Sequence, residues 1–378
     1  MDIVIIGGGY AGVACALRLA RKAGRGNRIT LVNDSDGFVE RIRLHQVAAG
    51  SGTARRALRP VLERAGVGLV VGRAEAINSG ARSVRVDGRS LPWDRLVLAL
   101  GSVPRRTGDG AAVLAPGESE AIAARLKEMR DGARVAVIGG GLTGIEAATE
   151  IKEAYPGLDV ALLTRSPLGQ GWSPAARTHL LAAFDRLGVR VEEGVHCGGD
   201  APVPGADLTL AAAGFEIPAL GRDAGLAVNG HDRVLVDPLL RSVSDPRIHA
   251  VGDCAVPVHD PGHALPMGCK SALPMGAQAG DNIAAECRGR AGRAFDFRLA
   301  FYCVSLGRRD GLIQWADRAG RPVGPVWTGR LAAHYKEFIC RFTWRVLALE
   351  SRGVPTVMGM RTGHAPRVPE GQVQAGAN

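Results

Sequence analysis

The sequence predicts an α/β fold in which two parallel-sheet units, one inserted into the other, precede a separate C-terminal region. Three observations support this prediction. A layout of strand, glycine turn, helix and strand occurs twice, further buried strands follow each copy, and the last quarter of the chain differs in composition from the rest. The chain has 378 residues, 46% of them hydrophobic and 22% charged, which suits two or three globular domains and excludes wholesale disorder.

The first copy of the layout opens the chain. It reads DIVIIGGGYAGVACALRLARK and is followed by RITLVND. The apolar run 3–6 is typical of a buried parallel strand, and it leads into a GxGxxG turn and a helical pattern. Gly7 permits the tight turn, Gly9 lets the backbone approach a pyrophosphate, and Gly12 lets the helix pack closely on the strand.

The second copy reads RVAVIGGGLTGIEAATEIKEA and is followed by DVALLTR. Its strand covers residues 135–138, and its turn contains Gly139, Gly141 and Gly144. One GxGxxG turn is a weak signal, but two in this full context predict two Rossmann-like dinucleotide-binding domains. The helix that follows each turn offers free N–H groups and the positive end of its dipole to phosphates.

Later segments predict how the two units are connected. DRLVLALGSVPRR (94–106) is a buried strand between the copies, and DLTLAAAGFEI (207–217) is its counterpart after the second copy. RIHAVGDCAVP (247–257) is a further strand that completes the first unit. The helix in LPMGAQAGDNIAAECRGR (273–290) has its first turn after Pro274. The predicted domain ranges are 1–115 and 231–295 for the first unit, 116–230 for the inserted unit, 296–365 for the C-terminal α/β region and 366–378 for a disordered tail.

The C-terminal quarter is strongly basic. Residues 288–378 hold 15 of the 47 Arg and Lys but only 6 of the 37 Asp and Glu. Such a region either binds an anionic surface such as membrane lipid or is an arginine-rich surface with no partner. Residues 328–350, TGRLAAHYKEFICRFTWRVLALE, predict a basic amphipathic helix that lies on a membrane, packs on the first unit or forms a homodimer contact. We expect no nucleic-acid partner.

The seven cysteines are scattered and form no CxxC motif. This pattern argues against a disulfide framework and a zinc cluster, so no metal site is expected. It also predicts reduced thiols and a cytoplasmic location. The basic C-terminal quarter leaves open a contact with the inner face of the cell membrane.

The motifs GGGYAG, LALGS, GGGLTGIEAA, AAAG and AVGDCA resemble the two-dinucleotide flavoprotein oxidoreductases. Within them the chain is most similar to type II NADH:quinone oxidoreductases and to apoptosis-inducing-factor-like and ferredoxin-reductase-like enzymes. The resemblance covers residues 1–290 well and the rest loosely. It implies FAD in the first domain, NADH or NADPH in the inserted domain, and electron transfer to a quinone or quinonoid small molecule. A soluble enzyme acting on a quinonoid metabolite or a small redox protein, and a flavin-bound sensor with slow turnover, stay open as alternatives.

The resemblance also implies roles for individual residues. For FAD it assigns Gly7, Gly9, Tyr10, Ala11 and Gly12 to the pyrophosphate, Asn33 or Asp34 to the ribose, Arg41 to the adenosine half, Ala74 to adenine, Gly101 to the crossing under the cofactor and Asp253 to the ribityl chain. For NAD(P)H it assigns Gly139, Gly141, Leu142, Thr143 and Gly144 to the loop, Glu146 to a catalytic position near the nicotinamide, and Ala213 and Gly214 to the turn beneath it.

Several positions depart from the family pattern. Asn33 replaces the usual ribose-binding acid. In the second copy, Thr164 and Arg165 occupy that place and favour a 2′-phosphate, hence NADPH, unless Arg165 is a solvated surface residue. No cysteine pair accompanies the flavin motifs, so a dithiol relay is not expected. Quinone reductases carry two glutamines near the quinone, whereas here Pro274 takes the first place and only Gln278 is kept.

Overall fold

A computed structural model describes residues 1–106, 110–197, 201–258, 265–297, 299–317 and 320–356. The predicted tail, 366–378, and the end of the predicted C-terminal region, 357–365, lie outside these ranges. No helix within the described ranges is both long enough and apolar enough to cross a membrane. The same ranges contain no cluster of three or more His, Cys, Asp or Glu side chains arranged to hold a metal ion.

The strands and helices follow in chain order. The strands are β1 (Asp2–Ile6), β2 (Arg28–Asn33), β3 (Gly37–Val39), β4 (Arg55–Ala57), β5 (Gly68–Val71), β6 (Ala74–Asn78), β7 (Ser83–Val86), β8 (Arg89–Pro92), β9 (Arg95–Leu98), β10 (Val103–Pro104), β11 (Ala112–Val113), β12 (Arg134–Ile138), β13 (Asp159–Thr164), β14 (Arg190–Glu193), β15 (Leu208–Ala211), β16 (Phe215–Glu216), β17 (Val234–Val236), β18 (Ile248–Ala250), β19 (Ala255–Pro257), β20 (Phe301–Ser305), β21 (Gly311–Ala316) and β22 (Pro322–Thr328). The helices are α1 (Tyr10–Lys22), α2 (Leu44–Ala48), α3 (Arg59–Arg64), α4 (Glu118–Glu128), α5 (Leu142–Ala154), α6 (Pro174–Leu187), α7 (Leu220–Asp223), α8 (Cys269–Glu286) and α9 (Gly329–Glu350).

Five parallel strands form the first sheet, in the order β18–β9–β1–β2–β5. Strand β1 is buried after its first residue, which explains why its sequence is continuously apolar rather than alternating. Strand β18 follows the second unit in the chain but pairs with β9. The chain therefore returns to complete the first sheet, as an inserted second unit requires.

The second sheet is also parallel, in the order β11–β15–β12–β13–β14. The β12–α5–β13 segment repeats β1–α1–β2, which confirms the predicted α/β fold with two Rossmann-like units. This sheet begins with Ala112, and Ile217 already belongs to the core of the first unit. The domain ranges drawn from the sequence stay predictions.

Helix α8 packs against α1 with the two backbones almost in contact. A Cβ at Gly276 would overlap the carbonyl oxygen of Ala11, and a Cβ at Gly280 would press on another carbonyl of α1. The sequence places the start of this helix after Pro274, and that prediction is wrong, because α8 begins at Cys269 and contains Pro274. Inside the helix the proline removes a backbone hydrogen bond, and the extensive burial of α8 against α1 offsets that cost.

The C-terminal region consists of an antiparallel sheet, β20–β21–β22, and helix α9. It contacts the cores of both units. Val346 and Leu347 of α9 belong to the core of the first unit, whereas Val304 and Leu312 of the sheet belong to the core of the second. This region therefore holds the two dinucleotide-binding units together.

Helix α9 buries only part of the apolar stripe that its sequence displays. Leu331 and Phe338, two members of that stripe, are 70% and 52% exposed. The buried face instead carries small or medium side chains such as Ala332, Cys340 and Leu347. Small residues let the helix approach its neighbours closely, and this leaves the large apolar side chains pointing outward.

Candidate functional site

The two glycine loops have the same geometry. A Cβ at Gly12 would overlap the carbonyl oxygen of Gly7, and a Cβ at Gly144 would overlap that of Gly139. Gly7 and Gly139 also have positive φ angles of 109° and 118°. Only glycine fits these contacts and angles without strain, so each helix begins directly on the turn that precedes it.

The residue at the end of the second strand of each unit donates a hydrogen bond to the carbonyl oxygen two residues further along the chain. Asn33 accepts a hydrogen bond from the Gly8 amide through Oδ1 at 2.7 Å and donates from Nδ2 to the Ser35 carbonyl oxygen at 2.9 Å. Thr164 donates to the Ser166 carbonyl oxygen at 2.9 Å. Asn33 therefore positions the loop by accepting one hydrogen bond and donating another. An ionised carboxylate could accept the first but could not donate the second.

The N-termini of α1 and α5 are open to a ligand. No side chain caps either helix, and neither first turn contains an acidic residue. A Cβ at Gly9 or Gly141 would meet no atom within 4 Å. Each loop thus surrounds free space at a helix N-terminus. The free backbone N–H groups there attract phosphate and fit the pyrophosphate of a dinucleotide.

A chain of polar contacts lies beside the first loop. Arg41 donates to the carbonyl oxygen of Ser102, whose hydroxyl donates to Asp253 at 2.8 Å. Asp253 also accepts from the Gly268 amide at 2.8 Å, just before α8 begins. Burial lowers the pKa of Arg41, although Asp253 opposes that shift. Sequence reasoning had identified Arg41, Gly101 and Asp253 but had missed Ser102, which links them.

The other predicted residues are distributed around the two loops. Tyr10 is buried, and its ring lies 5.0 Å from that of Phe38, which in turn contacts Trp344 of α9. Two candidate ribose or phosphate ligands, Asp34 and Arg165, are exposed. The remaining predicted positions lie at the following places: Ala11 in the first turn of α1, Ala74 at the start of β6, Leu142 and Thr143 at the start of α5, and Ala213 and Gly214 in the turn after β15.

Pro274 and Gln278 lie on the same helix but in different surroundings. Pro274 is buried within α8. Gln278 donates from its amide to Asn282 at 3.0 Å, so its side chain is engaged within α8. The assignment of these two positions to a quinone site stays a prediction, as do the cofactor roles of the residues above.

Glu146 forms a buried ion pair that sequence reasoning had missed. Its Oε1 lies 2.9 Å from Nζ of Lys336 on α9 and accepts from the Ser305 amide at 3.1 Å. Its Oε2 lies 3.6 Å from Nδ1 of His45 on α2. Burial alone would raise the pKa of Glu146, but Lys336 holds it below its ordinary value. The carboxylate is therefore ionised, and three separate parts of the chain surround it.

Lys336 is charged for the same reason. Burial would lower its pKa, but the carboxylate of Glu146 holds that pKa well above its ordinary value. One feature of the sequence could have drawn attention to Lys336. The chain has only five lysines among 47 basic residues, and Lys336 interrupts the helical stretch 328–350, where every other strongly basic residue is arginine.

The thiols near this pair are buried and unreactive. Burial raises the pKa of Cys269 to about 11 and that of Cys340 to about 12. Cys303 is buried as well. Thiols such as Cys269 and Cys340, which stay protonated at neutral pH, are poor nucleophiles.

Comparison with known proteins identifies the family. Residues 1–276 match the family model of the pyridine nucleotide-disulphide oxidoreductases. The chain belongs to this family. An NADH dehydrogenase-like protein of Mycobacterium tuberculosis is 30% identical over 74% of this chain and 79% of its own length. This family member is therefore an FAD-dependent NAD(P)H oxidoreductase, which confirms the prediction from the sequence motifs.

Two solved structures share the fold of this family member. The sulfide:quinone oxidoreductase of Aquifex aeolicus has a TM-score of 0.79 at 18% identity and covers 94% of this chain and 93% of its own. The NDH2 of Plasmodium falciparum, in complex with NADH, has a TM-score of 0.75 at 12% identity and covers 94% of this chain and 99% of its own.

The family's cofactors fit the geometry of the two loops. FAD and NAD(P)H together supply hydride transfer from the nicotinamide to the flavin. We propose that the α1 loop holds the FAD pyrophosphate, that Asp253 orients the ribityl chain, and that the α5 loop holds the NAD(P)H pyrophosphate. In this proposal Glu146 and Lys336 form the wall of the site on the nicotinamide side. Because their opposite charges cancel, the ion pair adds no net charge to that wall. In the proposed site these residues would orient the reactants and keep water out.

We predict that the same substitution removes FAD binding in the first loop but only reduction by NAD(P)H in the second. Gly9→Leu should yield a folded but colourless protein, because its side chain fills the space of the FAD pyrophosphate, and a Cβ there meets no protein atom within 4 Å. Gly141→Leu should yield a yellow protein whose flavin dithionite reduces but NAD(P)H does not. Flavin absorbance and anaerobic reduction measure both effects. FAD loss in both variants would contradict the assignment of the second loop.

We also predict acid-sensitive stability from His45. Burial lowers its pKa to about 4, whereas the unfolded chain protonates histidine near pH 6.5. The unfolded state therefore binds more protons between these values, so the free energy of unfolding should fall as the pH drops from 6.5 to 4, by up to about 3 kcal/mol. Denaturant unfolding across this range should show a smaller slope with pH for His45→Gln. The exposed control His231→Gln should keep the wild-type slope, and equal slopes in all three would refute the prediction.

Proposed function

We propose that the chain passes two electrons from NAD(P)H, through FAD, to a quinone-type acceptor. The observation that carries this proposal is a cluster of four aromatic side chains in the C-terminal region, Phe301, Trp315, Trp327 and Tyr335. Neighbouring rings in this aromatic cluster lie 5.3 to 5.8 Å apart between centroids, in edge-to-face arrangements. Aromatic walls of this kind suit a flat, apolar acceptor.

The aromatic cluster begins next to the polar contacts assigned to FAD. Nζ of Lys270, in the first turn of α8, lies 4.5 Å from the centre of the Phe301 ring and donates to the Phe301 carbonyl oxygen at 3.0 Å. Gly268, two residues earlier, is bound by Asp253. A cation at this place would stabilise negative charge that develops on a quinone oxygen. The names of relatives, NADH dehydrogenase-like protein and sulfide:quinone oxidoreductase, agree with this reading.

The experiment is steady-state oxidation of NADH and NADPH with a panel of quinones, ferricyanide and a ferredoxin. We expect quinone reduction by the wild type. Trp327→Ala with Tyr335→Ala should raise the KM for quinone about tenfold, since aromatic contacts contribute ~0.5–1.5 kcal/mol each. The same variant should reduce ferricyanide normally, because this acceptor needs no aromatic wall. Fast reduction of ferredoxin with none of any quinone would favour the redox-protein alternative and overturn our proposal.

We further propose that α9 contacts a membrane. Its outward stripe includes Leu331 and Phe338, and Phe342 stacks on Phe338 at 5.8 Å. Arg341 and Arg345 lie beside this stripe and are exposed. Exposed apolar side chains flanked by arginines suit the interface of an anionic bilayer. A lipid surface would also be the source of a quinone acceptor.

Vesicle sedimentation tests the membrane contact. Wild type should sediment with vesicles containing phosphatidylglycerol. High salt should release it only in part, because salt screens the attraction between the arginines and the anionic lipid but does not weaken the burial of apolar side chains. Leu331→Asp with Phe338→Asp should abolish sedimentation and keep FAD, since both side chains are exposed. Val243→Asp with Val258→Asp, two exposed valines away from α9, is the matched control. A wild type that ignores vesicles at every salt concentration would contradict the proposal.

A further inference from the structure

A second possible binding site lies away from both glycine loops. A groove of about 490 Å³ is formed by residues 43–56, the turn between β20 and β21, and α9. Guanidinium groups from all three segments line this arginine groove. They belong to Arg43, Arg56, Arg308, Arg341 and Arg345. None of the residues that line it belongs to the glycine loops or to the aromatic cluster.

One carboxylate organises the floor of the arginine groove. Glu337 is the only acid among the described residues that line it. It accepts two hydrogen bonds from Arg43 at 3.1 Å, one from Arg341 at 2.7 Å and one from Arg308 at 3.3 Å. Burial opposes ionisation, but these hydrogen bonds lower the pKa of Glu337 to about 2. Because each guanidinium has five N–H donors, Arg308 and Arg341, which each give one of them to Glu337, keep most of theirs for another anion.

The neighbouring acids do not balance the arginines. Arg56 binds Glu40 at 2.7 Å, and Arg308 lies 3.6 Å from Glu150. Burial raises the pKa of Glu150 to about 7, so this carboxyl is partly neutral at physiological pH. Arg345 has no ion pair within the described residues. Glu153 is a further neighbour, because its carboxylate accepts from the backbone amide of Arg308. Five arginines thus face four acids, one of them only partly charged.

We propose that the arginine groove binds a phosphate-bearing anion. Arginine pairs with phosphate through two parallel N–H donors, and clustered arginines bind it more strongly than scattered ones. Glu337 holds three of the guanidiniums in place before the ligand arrives, which lowers the entropy that binding would cost. Trp344 adds a flat apolar wall beside them. A soluble phosphate compound and a phospholipid headgroup offer the same chemistry.

The test compares two variants that lose the same charge from the same part of the chain. Arg341→Gln with Arg345→Gln removes two groove arginines and leaves the bonds from Arg43 to Glu337. Arg330→Gln with Arg352→Gln is the matched control, because both are exposed and outside the groove. The probes are sodium pyrophosphate, by calorimetry, and vesicles of phosphatidylcholine with or without phosphatidylglycerol, by sedimentation. FAD content and ferricyanide reduction check that each variant is folded.

We expect the wild type and the control to bind at least one of the probes. The groove variant should bind the same probe about tenfold more weakly, or more weakly still. Loss of pyrophosphate binding would identify a soluble ligand. A loss confined to phosphatidylglycerol vesicles would identify a lipid headgroup in the groove if soluble glycerol phosphate competes with the vesicles, and would overturn the inference in favour of the α9 membrane contact if it does not. The inference is overturned if the wild type binds neither probe. It is also overturned if both variants weaken binding equally, because binding would then follow net charge. This outcome does not depend on the acceptor, so it leaves the proposed quinone reduction standing.

Discussion

Contact between a helix backbone and the turn before it determines the rest of this structure. At Gly12 and Gly144 no side chain separates the helix from the carbonyl oxygen of the first loop glycine. The contact fixes the direction of α1 and α5, so that the N-terminus of each helix faces the carboxyl edge of its sheet. Helix α8 then packs on the backbone of α1 at Gly276, and its N-terminal end meets Asp253. The position of the proposed flavin contacts therefore follows from a series of backbone approaches that only glycine permits.

The C-terminal region adds what the two Rossmann-like units lack. Each unit has its own core, and side chains of this region enter both. The pair of Lys336 and Glu146 extends that connection into the interior. A buried ion pair adds little net stability, since desolvation offsets attraction, but removal of one partner leaves an uncompensated charge. Its contribution here is to make one relative placement of α5 and α9 much more favourable than others.

The sequence was most informative where spacing alone determines structure. Two glycines five residues apart, after an apolar run and before a helical pattern, are enough to predict both loops. The start of α8 was misplaced, because a proline is a local signal and the packing that tolerates Pro274 comes from α1. Periodicity revealed the apolar stripe of α9 but could not tell which face the neighbours cover. The partners of Glu146 lie far away in sequence, so no local pattern pointed to Lys336 or Ser305. Asn33 looked like an imperfect ribose ligand, and its hydrogen bonds to the loop explain an amide there.

The long sequence separation within the Glu146 ion pair has a consequence for biosynthesis. The ribosome completes both Rossmann-like units before it adds Ser305 and Lys336. During that interval Glu146 has neither of these partners, and an unpaired carboxylate favours hydration over burial. In a nascent chain, the surface of the inserted unit around Glu146 therefore stays hydrated until α9 has been synthesised. The order of translation itself therefore delays closure of this part of the interior until the C-terminal helix is made.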